Sequence, residues 1–246
     1  DPATGTGNFL GKMPEEMYNK SRIYAVEKDS ISGRISRLLY PDANLKVTGF
    51  EKTDLPDSFF DVAVGNVPFG SIYPSDRRYD KYNFAIHDYF FAKTLDKVRP
   101  GGIVAFITST GTLDKQNPAV RKYISQRAEL LGAVRLPNNA FKSYAGTQVS
   151  SDIIFLQKRD RMIDIAPEWV YTGIDAQGHV INNYFAEHPE MILGNVVEGN
   201  NLYGSKGITV EPFENADLKE LLNGAVKNIV GKYEAEKAVI AKPAES

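Results

Sequence analysis

The chain has 246 residues, 42% of them hydrophobic and 24% charged, enough for one medium domain with an appendage or for two small ones. A formal net charge of -2 gives the molecule no field that would draw in a polyanion, so any contact with nucleic acid has to come from a local patch or another domain. The lack of cysteine excludes disulfides and thiolate metal sites, no apolar run nears the roughly 20 residues of a membrane span, and the first residues carry no signal-peptide pattern, so a cytoplasmic protein without a metal is expected.

In chain order, the first feature is a turn, DPATGTGNF over residues 1–9, with Gly5 and Gly7 one residue apart and a helix expected after them. Strand-like runs at 23–26, 46–50, 62–65, 103–108, 130–135 and 153–157 alternate with helical patterns at 30–39 and 83–98. The second helix carries Phe84, His87, Phe91 and Leu95 on one stripe and is ended by Gly101-Gly102. This alternation predicts an α/β fold, a doubly wound sheet with helices on both faces. After Lys158 the pattern changes, and a boundary is expected there, dividing residues 1–159 from a small α+β extension, 160–246. The extension should hold a hairpin over 169–181 turning on Gln177-Gly178, a short helix at 184–187 and a glycine- and asparagine-rich loop at 194–207. A polar helix over 216–238 and an unstructured tail at 242–246 should follow.

The glycine pair allows backbone to approach a ligand where a Cβ would clash, although most such pairs are ordinary turns. Context strengthens the functional reading. About twenty residues after Gly7 the strand ends in Glu27, placed to accept both hydroxyls of a ribose; the alternative is a solvated charge at a strand end. Asn8 and Phe9 stand where a P-loop needs lysine and a hydroxyl residue, which argues against a triphosphatase. Asp1 would repel a pyrophosphate but can accept bonds from an ammonium group, tilting the cofactor from a dinucleotide to S-adenosylmethionine.

The segment FFDVAVGNVPFG, residues 59–70, is an apolar strand running into Asn66-Val67-Pro68-Phe69. It resembles the NPPY/F motif of amino-methyltransferases, and DPATGTGNF resembles their first motif in the amino-adenine branch. Val134-Arg135-Leu136-Pro137 with Phe141, followed by TQVSSDIIFLQKR, is similar to adenine-specific DNA methylases, including modification subunits of type I restriction systems. GNVPFG, IHDYFF and LPNNAFK most resemble methylase regions of very large helicase-containing proteins of phages and mobile elements. The resemblance covers residues 1–159. It implies a mostly parallel Rossmann-like methyltransferase sheet with an antiparallel hairpin at one edge, S-adenosylmethionine as cofactor, and adenine in DNA as substrate, with target recognition supplied by other domains of a larger polypeptide. In that fold a strand leads into the Asp1–Gly7 turn, so the sheet is expected to lack its first strand and cofactor binding to be weak. Carried onto this sequence, the family's pattern puts Asp1, Pro2, Thr4, Gly5, Gly7, Phe9, Glu27 and Glu51 at the cofactor.

The chemistry of the motif can be argued from its groups. An adenine amino nitrogen is a poor nucleophile because its lone pair is conjugated into the ring, and two hydrogen-bond acceptors localise that pair. The Asn66 side-chain oxygen and the Val67 carbonyl suit this task. Only a carbonyl is needed at the second position, so valine in place of the usual proline is tolerable, although it frees the backbone. Phe69 would stack on a flipped base, with Phe141 as a second wall. Arg77 and Arg78 are candidate phosphate clamps, weighed against a solvated loop paired with Asp76 and Asp80. Phe50 and Thr53 compete with Glu51 for the adenine of the cofactor, and His87 and Asp88 read as structural. The same motif methylates guanine amino groups in RNA and glutamine in proteins, and a catalytically silent module is a further alternative.

Overall fold

The computed structural model describes residues 1–141, 149–200 and 206–232. A short helix α1, Glu15–Lys20, precedes strand β1, Tyr24–Glu27. Helix α2, Ser30–Leu39, starts on Asp29, whose carboxylate caps the Ser32 nitrogen, and leads to β2, Asn44–Val47, which pairs in parallel with β1. β3, Phe60–Asn66, pairs in parallel with β4, Val98–Ser109, and helix α3, Ile86–Lys97, makes the crossover. After the small helices α4, Gly111–Asp114, and α5, Ala119–Ser125, come β5, Ala128–Leu136, and β6, Ser151–Lys158. β6 lies antiparallel between β4 and β5, giving the order β3-β4-β6-β5. No helix among the described residues is long and apolar enough to cross a membrane.

β1 and β3 do not pair with each other. Residues 1–4 lie between them, bonded to β1 through Val26 N to Asp1 O (2.9 Å), Thr4 N to Val26 O (3.0 Å) and the Asp1 nitrogen to Tyr24 O (2.9 Å). Further along the gap, the rings of Tyr24 on β1 and Phe60 on β3 meet edge to face at 5.2 Å. Phe59 and Val62 remain exposed beside it.

Three expected elements form differently. The strand expected at 46–50 ends at Val47, and Phe50–Lys52 is a 3₁₀ turn that drops the Phe50 ring into the core, 4.9 Å from Phe90. The loop expected at 194–207 supplies two antiparallel strands, β9, Asn195–Asn200, and β10, Lys206–Glu211; residues 201–205 lie outside the described residues. They follow the hairpin strands β7, Thr172–Ile174, and β8, Val180–Asn182, and helix α6, Asn183–Glu187. The valines and isoleucine of this stretch outweigh its glycines, and Gly199 permits close pairing, since a Cβ there would lie 2.8 Å from Thr209 Cγ2. The helix expected from 216 is α7, Leu218–Ala225, followed by a 3₁₀ turn, Val226–Asn228. There the chain is drawn onto the sheet: Lys232 N donates to Gln157 Oε1 at 3.2 Å, and Gln157 Nε2 donates to the Lys232 carbonyl. Residues 233–246 lie outside the described residues, with the rest of that predicted helix and the tail.

One hydrophobic cluster holds both the sheet and the later elements: Phe91, Phe106 and Leu156 pack in it with Ile181, Phe185 and Val210. A buried ionic network reinforces the join. Arg135 on β5 donates from Nε and Nη2 to both oxygens of Asp152 on β6 (2.8 Å each) and from Nη1 to Asp114 of α4 (2.7 Å). Asp114 also accepts from the Asn182 backbone nitrogen at 3.0 Å, and the guanidinium lies 4.3 Å from the Phe185 ring centroid. Burial opposes the Arg135 charge, but the two carboxylates overcome it and raise the guanidinium above its ordinary pKa. Replacing Arg135 by Leu strands both acids, and a loss of about 3–5 kcal/mol is expected. The double substitution Arg135→Leu with Asp152→Leu should lose less than Arg135→Leu alone. Urea unfolding of the three proteins checks the order.

Candidate active site

The C-terminal ends of β1 and β3 carry the residues that the sequence singles out. After Asp1 the chain turns with Gly5 at φ +57° and Gly7 at φ +92°, both in the left-handed region. The two glycines serve different neighbours. A Cβ at Gly5 would meet nothing within 4 Å, so that side of the turn is open. A Cβ at Gly7 would lie 2.3 Å from Cε2 of Tyr40, the residue after α2, and 3.2 Å from Ser36 Oγ, so Gly7 lets α2 and the Tyr40 ring close on the turn from behind.

Glu27 ends β1 beneath this turn and accepts from Gly5 N and Asp29 N, each at 2.7 Å. Each oxygen retains further acceptor capacity. The Asp1 carboxylate accepts from Ala3 N through Oδ1 (3.0 Å), while its buried Oδ2 and the buried Thr4 hydroxyl oxygen have no partner among the described residues. Pro2 is buried and Phe9 half-buried. Of the three candidates after β2, Phe50 is packed in the core and the Thr53 hydroxyl is spent on Phe50 O (2.8 Å). The half-buried Glu51 keeps a carboxylate with no donor among the described residues.

Asp1 touches the second motif. Gly65, the residue before Asn66, has no room for a side chain, because a Cβ there would lie 2.9 Å from Asp1 Oδ1 and 3.5 Å from Pro2 Cδ. The glycine turn and the end of β3 thus meet through Asp1 and Gly65. Beyond Gly65, Asn66 is exposed and its amide makes no hydrogen bond with a described residue. Val67 is buried, and its nitrogen donates to Ile107 O of β4 at 3.1 Å, which anchors the loop as β3 ends. Pro68 is exposed and Phe69 half-buried. Phe141 is half-buried against the main core, while Lys142 and residues 147–148 of the later motif lie outside the described residues.

The two candidate arginines part company. Arg78 is tied to Asp57 (2.6 Å) and Asp96 (3.0 Å), whereas Arg77 is exposed with no partner among the described residues. The loop carrying them is pinned to α3: Asp76 accepts from Tyr89 Oη (2.8 Å) and Lys93 Nζ (3.0 Å), and Tyr79 Oη donates to Asp96 at 2.6 Å. His87 and Asp88 are buried at the start of α3, where Asp88 accepts from Lys115 at 2.6 Å, and burial lowers the His87 pKa below the usual imidazole value. Sequence reasoning overlooked the partners of these buried charges: Lys115 for Asp88, and Asp114 and Asp152 for Arg135. The hint was a charged residue inside an apolar strand at Arg135 and Asp152; Lys115 gave no signal.

A family profile described as N-6 DNA Methylase matches residues 1–170. The chain belongs to this family. The Defense against restriction protein B of Escherichia phage P1 is 35% identical over 164 residues, which is 64% of this chain and 7% of the phage protein. Among solved structures, a protein of Listeria monocytogenes described as a class I S-adenosylmethionine-dependent methyltransferase matches at a TM-score of 0.53 and 24% identity, over 68% of this chain and 54% of that one. A protein of Vibrio vulnificus described as a modification subunit of a type I restriction enzyme matches at 0.54 and 16% identity, over 90% and 56%. The chain thus spans little more than half of these solved chains and a small part of the phage protein. The structural likenesses establish the Rossmann-like methyltransferase fold, with β2-β1 on one side of residues 1–4 and β3-β4-β6-β5 on the other.

S-adenosylmethionine is the cofactor of this family, and the residues present fit it: an open glycine turn at Gly5, a buried acceptor on Asp1 without a donor among the described residues, and acids at Glu27 and Glu51 with lone pairs to spare. The division between the glycines gives an expected outcome. Gly5→Ala puts a methyl group into the open side and strains one left-handed residue, costing about 1–2 kcal/mol of folding stability while weakening S-adenosylmethionine binding. Gly7→Ala adds a collision with Tyr40 and costs more stability than Gly5→Ala, part of which Tyr40→Ala restores. Urea unfolding without cofactor and calorimetric titration with it separate the two effects.

Proposed function

We propose that the chain transfers a methyl group from S-adenosylmethionine to the exocyclic amino group of adenine in DNA. The observation that carries this reading is the contact of Asp1 with Gly65, which joins the cofactor turn to a strand end whose next residue, Asn66, has an amide with no partner among the described residues. Membership of the N-6 DNA methylase family supports the amino group of adenine as the target.

In this reading Asp1 accepts from the ammonium group of the cofactor, Glu27 from its ribose hydroxyls, and Glu51 meets its adenine. Bound S-adenosylmethionine supplies a methyl group on a sulfonium centre, reactive enough that the protein need only position the acceptor. The Asn66 oxygen and the Val67 carbonyl accept the two amino hydrogens of the target, which localises the lone pair and stabilises positive charge on nitrogen. Burial of the Val67 side chain and the bond of its nitrogen to Ile107 O anchor the backbone that carries that carbonyl. Phe69 and Phe141 stack on the base once it leaves the duplex. Arg77, without an ion pair among the described residues, is the better of the two arginines for a backbone phosphate. No general base is needed before transfer, because the methylated nitrogen loses its proton readily afterwards.

Asn66→Ala should abolish methyl transfer and leave S-adenosylmethionine affinity within a few-fold, since Asn66 faces the target and not the cofactor. Radiolabelled transfer to DNA, RNA and a glutamine peptide, alongside calorimetry, tests both substrate and mechanism; normal turnover by Asn66→Ala rules the mechanism out. The net charge of -2 predicts that residues 1–246 bind DNA weakly, with a shallower salt dependence than a basic recognition domain shows, as read by fluorescence anisotropy across a salt series.

A further inference from the structure

α2 packs on the sheet with its least apolar side. At about 100° per residue, Gly33 and Ser36 fall on one face of the helix, and Ile31, Ile35, Leu38 and Leu39 fall on the opposite one. The small face is the buried one: Ser36 is fully covered, and a Cβ on Gly33 would lie 2.9 Å from Val47 Cγ2 of β2. The apolar face points outward, with Ile31 67%, Ile35 41%, Leu38 82% and Leu39 59% exposed. A helix that serves only its own domain places its apolar stripe on the core. Here glycine and serine allow close approach to β2, and the stripe is left for something else.

Charge narrows what that is. Arg34 borders the stripe beside Leu38, Arg37 lies further round the same side of the helix toward β2, and α2 contains no acidic residue. Arg34 has no ionic partner among the described residues, and Arg37 donates to the Leu45 carbonyl at 3.4 Å. We propose that α2 is a docking surface for an amphipathic polypeptide helix whose apolar stripe carries acidic side chains along the edge that meets Arg34. The i, i+4, i+7, i+8 spacing forms the ridge that such a helix accepts in its groove, over a length of about 15 Å at ~1.5 Å per residue. A second copy of this chain fits less well, because a two-fold contact through the stripe brings arginines from both sides and no acid from either. An anionic membrane fits less well too, since two cations fall short of the roughly 4–8 of a polybasic lipid-binding segment.

The test uses two labelled designed peptides of about 15–20 residues with the same leucine stripe, one flanked by glutamate and the other by lysine. Titration against the full chain should give at least about tenfold tighter binding of the glutamate peptide. R34E/R37E should reverse the preference. L38N should remove binding of both peptides without shifting the thermal midpoint, because Leu38 contributes little to the core of the free chain. Equal affinities or absent binding overturn the proposal. So does a dimer in sedimentation that L38N dissolves, which assigns the face to a second copy. Co-sedimentation with phosphatidylserine vesicles that R34E/R37E abolishes, without peptide discrimination, assigns it to a lipid surface and likewise overturns the proposal.

Discussion

The meeting of Asp1 with Gly65 is the constraint on which the functional reading of the fold depends. Gly65 lies in a strand, where glycine is otherwise unfavourable, and its missing side chain is the space that the Asp1 carboxylate and the Pro2 ring occupy. Any larger residue would push the glycine turn away from the end of β3 and separate Asp1 and Gly5 from Asn66. The turn is held from its other side as well, by Glu27 on Gly5 N and by the backbone bonds of residues 1–4 to β1. Two halves of a sheet that share no strand-to-strand hydrogen bond are thereby brought to one place.

Rigidity on the far side of the site has a separate origin. β4 lies between β3 and β6, so the loop after β3 inherits its position from a strand buried on both edges. At the outer edge, Arg135, Asp152 and Asp114 bind β5, β6, α4 and the start of α6 into one unit. A buried charge cluster of this kind contributes little stability compared with well-packed apolar groups, but it is directional and tolerates few alternative arrangements. It therefore suits a region where elements far apart in sequence must adopt one relative position.

α2 shows the opposite economy. Its inner face is made of residues too small to contribute much burial, and its apolar residues face away from the sheet. The family profile covers this helix, so its outward apolar face lies within the part of the chain that the family shares.

The sequence by itself determined the α/β alternation, because apolar runs of strand length and helical stripes follow from local periodicity. It also carries the chemistry proposed for the Asn66 motif, because an acceptor, a carbonyl and an aromatic ring sit within four consecutive residues. The 194–207 segment misled because glycine and asparagine signal loops locally, while pairing across β9 and β10 is a non-local gain. The expected end of the second strand failed for the same reason: Phe50 has strand propensity, yet the core beside Phe90 offered it more burial. Only the tertiary structure decided which glycine faces open space and which faces Tyr40, since both read alike in the motif and differ only in what lies opposite. It alone decided that Arg78 is held by Asp57 and Asp96 while Arg77 has no partner among the described residues, and that the apolar stripe of α2 points outward. Periodicity reports that a helix has two faces; what packs against each face is fixed by contacts between residues distant in the chain.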